Sequence, residues 1–286
     1  MTSKSSTNNP KTVLITGCSA GGIGSALAEV FTERGLHVFA TARTLSKMAH
    51  LEKRLNITLL ELDVTSASSI HAAVETVTAI TGGKLDYLVN NSGQSCVRPA
   101  LDTDLEQAKK LFDVNFWGAV DTIHAFAPLV IASRGTLVNV GSIASALHAP
   151  WGCFYNASKA AIQTYGETLR LEMAPLNVKV ITVMAGVVAT NIFANHPDPK
   201  LPEDSYWKPA SKEIIAIVTG SSNIIENGLP ASIFAKRVAD DVLGGATALI
   251  WRGKMASLGW FLQTFLPGWL LVGRFYCLDL KVMLMD

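Results

Sequence analysis

Seven short apolar runs recur along the chain, near residues 12–16, 37–41, 58–62, 85–90, 135–141, 178–184 and 247–251. Runs of this length, rich in Val, Ile, Leu and Thr, suit strands buried on both faces. Between them the apolar positions take helical spacing, near 23–34, 67–80, 104–131, 153–174 and 231–244. In the first of these, Leu27, Ala28, Val30 and Phe31 fall on one side. Strands and helices therefore alternate at the spacing of βα units, which predicts an α/β fold with a parallel sheet.

The first strand, Thr12-Val-Leu-Ile-Thr16, runs straight into Gly17-Cys-Ser-Ala-Gly21-Gly22-Ile23-Gly24 and then a helix. Small residues at such a turn let backbone N–H groups approach a pyrophosphate, and the helix start adds partial positive charge. With a second strand at 37–41, the unit reads as the opening of a Rossmann-type, doubly wound single domain. The same turn also fits G-x-S-x-G, the nucleophile elbow of hydrolases, with Ser19 as nucleophile. That alternative needs a histidine on a later strand end, and His196 is the candidate left for it.

Tyr155 and Lys159 stand four residues apart in a helical stretch, so both project from one face. A phenol is a weak acid near pKa ~10, and a neighbouring ammonium is expected to lower that value. Ser142, which ends the run Gly135-Thr-Leu-Val-Asn-Val-Gly, brings a hydroxyl that can hydrogen-bond a substrate carbonyl while the phenol exchanges a proton with it. A surface Tyr–Lys pair of no consequence would show the same spacing.

Taken in order, the glycine turn, Asp63-Val64, Asn90-Asn91-Ser92-Gly93, Asn115, Ser142, Tyr155/Lys159 and Ala185-Gly186 through Thr190 resemble the short-chain dehydrogenase/reductase family over roughly 12–195. Within it, Asn90-Asn-Ser-Gly-Gln-Ser-Cys96, Tyr155-Asn-Ala-Ser-Lys-Ala-Ala-Ile162 and Leu171-Glu-Met-Ala-Pro-Leu-Asn-Val178 are most similar to the fungal NADPH-dependent acyl-dihydroxyacetone-phosphate reductases. The turn carries one residue more than the family's TGxxxGxG, Ser92 replaces an alanine, and Ala185 replaces a proline. The resemblance implies catalysis by Ser142, Tyr155, Lys159 and Asn115, the last at a kinked helix position that extends a proton relay from Lys159. It also implies cofactor contacts from Gly17, Ser19, Ile23, Gly24, Asn90, Asn91, Gly93, Tyr155 and Lys159. Asp63 would meet the adenine, and Val188 and Thr190 the nicotinamide carboxamide.

Cofactor choice turns on the end of the second strand. An acid there would accept from the ribose hydroxyls of NAD, but the chain has Thr41-Ala42-Arg43, with Lys47 a turn later. A guanidinium suits a phosphate dianion, which favours NADP(H).

Charged residues make up 16% of the chain and the net charge is +1, so no basic surface argues for nucleic acid. Cysteines 18, 96, 153 and 277 lack paired metal-ligand spacing, which points to reduced thiols, an intracellular location and no metal. Residues 1–10 read as a disordered tail, 11–254 as the reductase domain and 255–286 as an apolar extension. Residues 191–230, rich in Pro, Ser and Asn, read as a mobile flap over the site, with Gln94, Cys96, Trp151 and Cys153 lining the pocket.

Residues 255–273 carry no charge and hold Trp260, Phe261, Phe265, Leu266, Trp269 and Leu270. Burial, a contact between subunits of a homo-oligomer, and peripheral insertion into a lipid surface all fit; Pro267-Gly268 speaks against a spanning helix. The chain is expected in the cytoplasm, or peripherally on the endoplasmic reticulum or a lipid droplet. The leading expectation is reduction of a small-molecule carbonyl, an acyl-dihydroxyacetone-phosphate-like lipid. A polyketide or terpenoid ketone of fungal secondary metabolism and a non-catalytic binding protein are the alternatives.

Overall fold

The computed structural model describes residues 10–192, 200–219 and 227–267. A seven-stranded sheet runs through it in the order β3-β2-β1-β4-β5-β6-β9, every neighbouring pair parallel. Its strands are β1 (Thr12–Ile15), β2 (His37–Ala42), β3 (Ile57–Glu61), β4 (Tyr87–Asn90), β5 (Thr136–Val140), β6 (Lys179–Ala185) and β9 (Ala248–Arg252). A two-stranded ribbon, β7 (Val188–Ala189) with β8 (Leu229–Pro230), stands outside it. All seven runs read from the sequence are the sheet's strands.

Alternation along each strand sends side chains to opposite faces. Val13, Ile15, Val38 and Ala40 pack beneath α1 (Ile23–Glu33), while Leu14, Phe39, Leu88 and Leu137 belong to the opposite layer, which includes α2 (Ala67–Thr81). The first layer is completed by α7 (Ala231–Leu243), through Phe234, Val238 and Val242. The second is completed by α4 (Gly118–Ser133) and α5 (Cys153–Met173), through Phe126, Val130 and Leu169. Strand order reverses at β1, which pairs with β2 on one side and β4 on the other. A crevice opens at the carboxyl ends of the strands at such a point.

The long helix read near 104–131 is three pieces: α3 (Leu105–Phe112), a π-turn at Asp113–Trp117, and α4. Helices α6 (Ser211–Val218) and α8 (Ala256–Phe265) were not among those read from the sequence. The former lies inside the supposed flap, so part of that flap is ordered helix. The latter packs one face on β9, with Ala256 buried and Gly259 against Trp251, Leu147 and Ile143. Residues 1–9, residues 193–199 and 220–226 of the flap, and residues 268–286 of the extension, Cys277 among them, lie outside the described residues.

Candidate active site

Gly17 closes β1 with φ +75°, and a methyl group there would crowd the Ser92 backbone at 3.0 Å. At Gly24 a Cβ would strike the Gly17 carbonyl, so the helix start lies directly on the turn. The added residue is absorbed in a turn in which the Gly22 N–H donates to the Ser19 carbonyl (3.2 Å). Gly21 takes its third position with φ +73°, a conformation that side chains resist. Asn91 fixes the rear of this cradle: its Nδ2 donates to the Thr16 and Gly17 carbonyls at 2.9 and 3.1 Å. The Ala20 N–H donates to the Lys47 carbonyl (3.0 Å), which sets Lys47 beside the turn. Ser19 and Ile23 are half-buried at its rim.

Thr41 is fully buried and spends its hydroxyl on the Ile15 carbonyl (3.1 Å). Arg43 is exposed beyond it and lies within electrostatic reach of Asp63. Burial pushes the Asp63 carboxyl up, but hydrogen bonds from Thr65 and the Arg43 charge outweigh it, and the net shift is down. Asn90 turns its side chain into the sheet, donating to Asn139 Oδ1 (3.0 Å). Its amide ties β4 to β5, whereas the resemblance implied a cofactor contact for Asn90.

Ser142 ends β5 and caps the short turn at Ile143–Ser145, accepting from the Ala144 N–H at 3.1 Å. The Ser142 side chain also lies in hydrogen-bonding relation to the Tyr155 phenol, an interaction that favours the phenolate. Lys159 sits one helical turn on, buried, with Nζ 5.9 Å from the Tyr155 ring centre and donating to the Val140 carbonyl (3.0 Å). Burial lowers its pKa from 10.5 to about 8. The expected lowering at Tyr155 is reversed: burial raises the phenol, and the Ser142 hydrogen bond offsets only part of that. At neutral pH the phenol therefore keeps its proton.

The π-turn places Asn115 at the kinked position that the resemblance implied. Its side chain is held on three sides, accepting from the Gln94 N–H (2.7 Å) and donating to the Gln94 carbonyl and to Ser158. Gly93 separates Asn115 from Lys159; a Cβ on it would stand 3.4 Å from Asn115 Oδ1 and 3.5 Å from Lys159 Nζ. Ser142, Tyr155, Lys159, Asn115 and Gly93 are thus one cluster at the carboxyl ends of β4 and β5.

Beyond β6 the chain is gripped twice. The Val187 carbonyl accepts from the Leu229 N–H (3.0 Å), and the Val187 N–H donates to the Lys254 carbonyl (2.9 Å). This leaves Val188 buried and Thr190 half-buried on the way to Asn191. Asn191 was read only as the start of the flap, yet its N–H donates to the Gly21 carbonyl (3.4 Å) and its side chain to the Ala20 carbonyl (3.4 Å). Nothing in the local sequence signals that contact, which joins positions 170 residues apart by fold alone.

The hydrolase reading finds no support here. The described hydrogen bonds put His50 on Ser25 (2.6 Å) and His37 on Thr58 (2.9 Å), and His196 lies outside the described residues. Cys18 in the turn is inert, its thiol pushed up to about 12 by burial. Among the described residues no cluster of metal-ligating side chains occurs.

The family model for short chain dehydrogenases matches residues 11–200. The chain belongs to the short-chain dehydrogenase family. It is an oxidoreductase by class. It is 47% identical over 260 residues to short-chain dehydrogenase PC-15 of Penicillium crustosum, covering 91% of this chain and 94% of that one. It is 38% identical over 264 residues to the NADPH-dependent 1-acyldihydroxyacetone phosphate reductase of Schizosaccharomyces pombe, covering 87% and 88%. Among solved structures, a short-chain dehydrogenase from Streptomyces avermitilis superposes with a TM-score of 0.76 at 27% identity, over 90% of this chain and 92% of that one.

Proposed function

We propose that this chain is an NADPH-dependent carbonyl reductase that converts a ketone to a secondary alcohol. The observation that carries this is the convergence of Ser142, a protonated Tyr155 and a buried Lys159 beside a glycine cradle at the switch point of the sheet. A dinucleotide fits the residues present, because Gly17 and Gly24 let the turn pack so closely on Ser92, Asn91 and the Gly17 carbonyl that the helix start follows the strand end directly, the arrangement that presents backbone N–H groups to a pyrophosphate. Gly17, Ser19, Ile23 and Gly24 would hold that pyrophosphate, and Asn91 and Gly93 would line the way to the reacting end. Arg43, with Lys47, would take the 2′-phosphate, Asp63 the adenine, Val188 and Thr190 the carboxamide, and Tyr155 and Lys159 the ribose.

When bound, NADPH supplies a hydride to the carbonyl carbon. Ser142 donates a hydrogen bond to the carbonyl oxygen. Tyr155 gives its phenolic proton to the oxygen as negative charge develops there, so the product is a neutral alcohol. Lys159 stabilises the phenolate that remains, and the Asn115 turn leads the replacement proton in from water.

An acyl-dihydroxyacetone-phosphate-like lipid is the substrate suggested by the Schizosaccharomyces pombe relative's name. A second reading, an uncharged polyketide or terpenoid ketone, is favoured by the apolar packing of Val97, Trp151, Ile214 and Val218 beside the site. Following NADPH oxidation by the purified protein with acyl-dihydroxyacetone phosphate and a panel of cyclic ketones separates the two. Oxidation with neither would remove the reductase assignment.

A further inference from the structure

Strands β1 and β6 do not touch: β4 and β5 stand between them, which sets them about 14 Å apart. The loops that leave their carboxyl ends nevertheless meet. The Asn191 N–H donates to the Gly21 carbonyl and the Asn191 side-chain amide to the Ala20 carbonyl, both at 3.4 Å. That contact joins the two sides of the crevice across the ends of β4 and β5, where Asn91, Gly93 and Ser142 lie.

The crossing segment is fastened at both ends. Leu229 and Lys254 hold Val187 through its carbonyl and N–H, and four residues later the glycine turn holds Asn191. Val188 and Thr190 lie between the two fastenings. On the other side the contact uses what is unusual in this turn. The turn has one residue more than the family pattern, and its exposed positions, Ala20 and Gly21, supply both acceptors. Gly21 takes φ +73°, and a Cβ there would strike Asn191 Nδ2, so only glycine permits this approach.

We propose that Asn191 is a positioning residue: its contact with the lengthened turn closes residues 187–191 as a strap that retains NADP(H) and holds Val188 and Thr190 on the carboxamide. This rests on the NADPH-dependent reading above and adds the control of cofactor release to it. A dinucleotide with its pyrophosphate on Ser19, Ile23 and Gly24 and its carboxamide on Val188 and Thr190 runs beneath the strap. Its release then requires the Asn191 contact to open. The adenosine end lies clear of the strap, because Arg43 and Asp63 follow β2 and β3, on the opposite side of β1 from β6.

The test follows NADPH fluorescence during binding and displacement. Beside it stands calorimetric binding of adenosine 2′,5′-bisphosphate, which carries the 2′-phosphate but ends before the strap. Asn191 is exposed, so Asn191→Ala is expected to fold as wild type does. In that variant NADPH release should quicken about threefold to tenfold, the effect of one hydrogen bond lost, while association changes about twofold or less. The bisphosphate should bind both proteins equally. Gly21→Ala should quicken release in wild type but add less in an Asn191→Ala background, because both changes open the same contact. Unchanged release in Asn191→Ala overturns the proposal and leaves NADPH binding standing. Equal weakening of NADPH and the bisphosphate would make Asn191 a structural residue only, and an equal increment from Gly21→Ala in both backgrounds would uncouple it from the turn; either also overturns the proposal. If wild type binds no NADPH, the cofactor assignment falls and takes the strap with it.

Discussion

Lys159 donates from Nζ to the backbone carbonyl of Val140 at 3.0 Å, which anchors the charge of α5 to the end of β5. Burial makes that charge costly in the folded state and lowers its pKa from 10.5 to about 8. Between those values the unfolded chain holds a proton that the folded chain has released, so folding is favoured as pH rises. Below about 8 the full cost is present. The expected outcome is that wild type gains stability relative to Lys159→Met from pH 8 to 10.5 in urea unfolding. A difference that stays flat over that range would show that Lys159 is not strained by burial.

Tyr155 holds its proton because burial raises it, with Ser142 opposing. Tyr155→Phe deletes the phenolic hydroxyl, so turnover should fall about a hundredfold or more while NADPH affinity, with Lys159 still on the ribose, falls far less. Ser142→Ala should shift the phenol still higher, since it removes the group that favours phenolate. Ultraviolet titration of the phenol in the two proteins checks that direction, and a downward shift would contradict the hydrogen bond.

The strands were legible because each is a compact apolar run, and the π-turn because Asn115 stands among motifs with fixed spacing. Helix α6 was not, because its eight residues lie in a Pro-, Ser- and Asn-rich stretch whose apolar side finds its partners at Val97 and Trp151, far away in sequence. Helix α8 is apolar nearly all round, a pattern that fits burial and lipid alike until Gly259 is seen against Trp251. The two-residue strands β7 and β8 are too short to show a period. The direction of the Tyr155 shift was misread for a similar reason. The Tyr155/Lys159 spacing reveals a neighbouring charge but not the burial that outweighs it.

Arg43 stands exposed at the end of β2, near enough to Asp63 to help lower its carboxyl. If it grips the 2′-phosphate, Arg43→Asp should weaken NADPH binding by about 2 kcal/mol or more and leave NADH little changed. Kd values for both cofactors in both proteins decide it. Equal losses would mean that Arg43 does not read the phosphate.

Gly24 and Gly35 separate space from strain. A methyl group at Gly24 meets the Gly17 carbonyl and the Asn91 amide, whereas at Gly35, with φ +84°, it meets nothing within 4 Å. Gly24→Ala should therefore lower stability by about 1–3 kcal/mol and weaken NADPH binding. Gly35→Ala should cost about 1 kcal/mol from its backbone alone and leave binding intact. Calorimetric binding and thermal unfolding test both, and unchanged binding in Gly24→Ala would remove Gly24 from the cradle.

Helix α8 has one face committed to the fold and one that is not. Ala256 and Gly259 are buried, while Leu258, Trp260, Phe261 and Phe265 are 46–60% exposed, a concentration of large apolar groups unusual for a solvent-facing helix. Trp260 and Phe261 each pack with Phe265, at 5.8 and 5.3 Å between ring centres, so the aromatic groups form one ridge. Lys254 precedes the ridge and can stay with lipid headgroups while the rings sink among the acyl chains. Liposome flotation should carry the full chain with the lipid, and Leu258→Ser/Trp260→Ser/Phe265→Ser should leave it in the soluble fraction. Because those side chains point away from β9, the variant should keep its fold and its solution activity. Flotation unaffected by the three changes would assign lipid contact elsewhere. A concentration-dependent shift in sedimentation, lost in the variant, would instead make the ridge a contact between two copies of the chain.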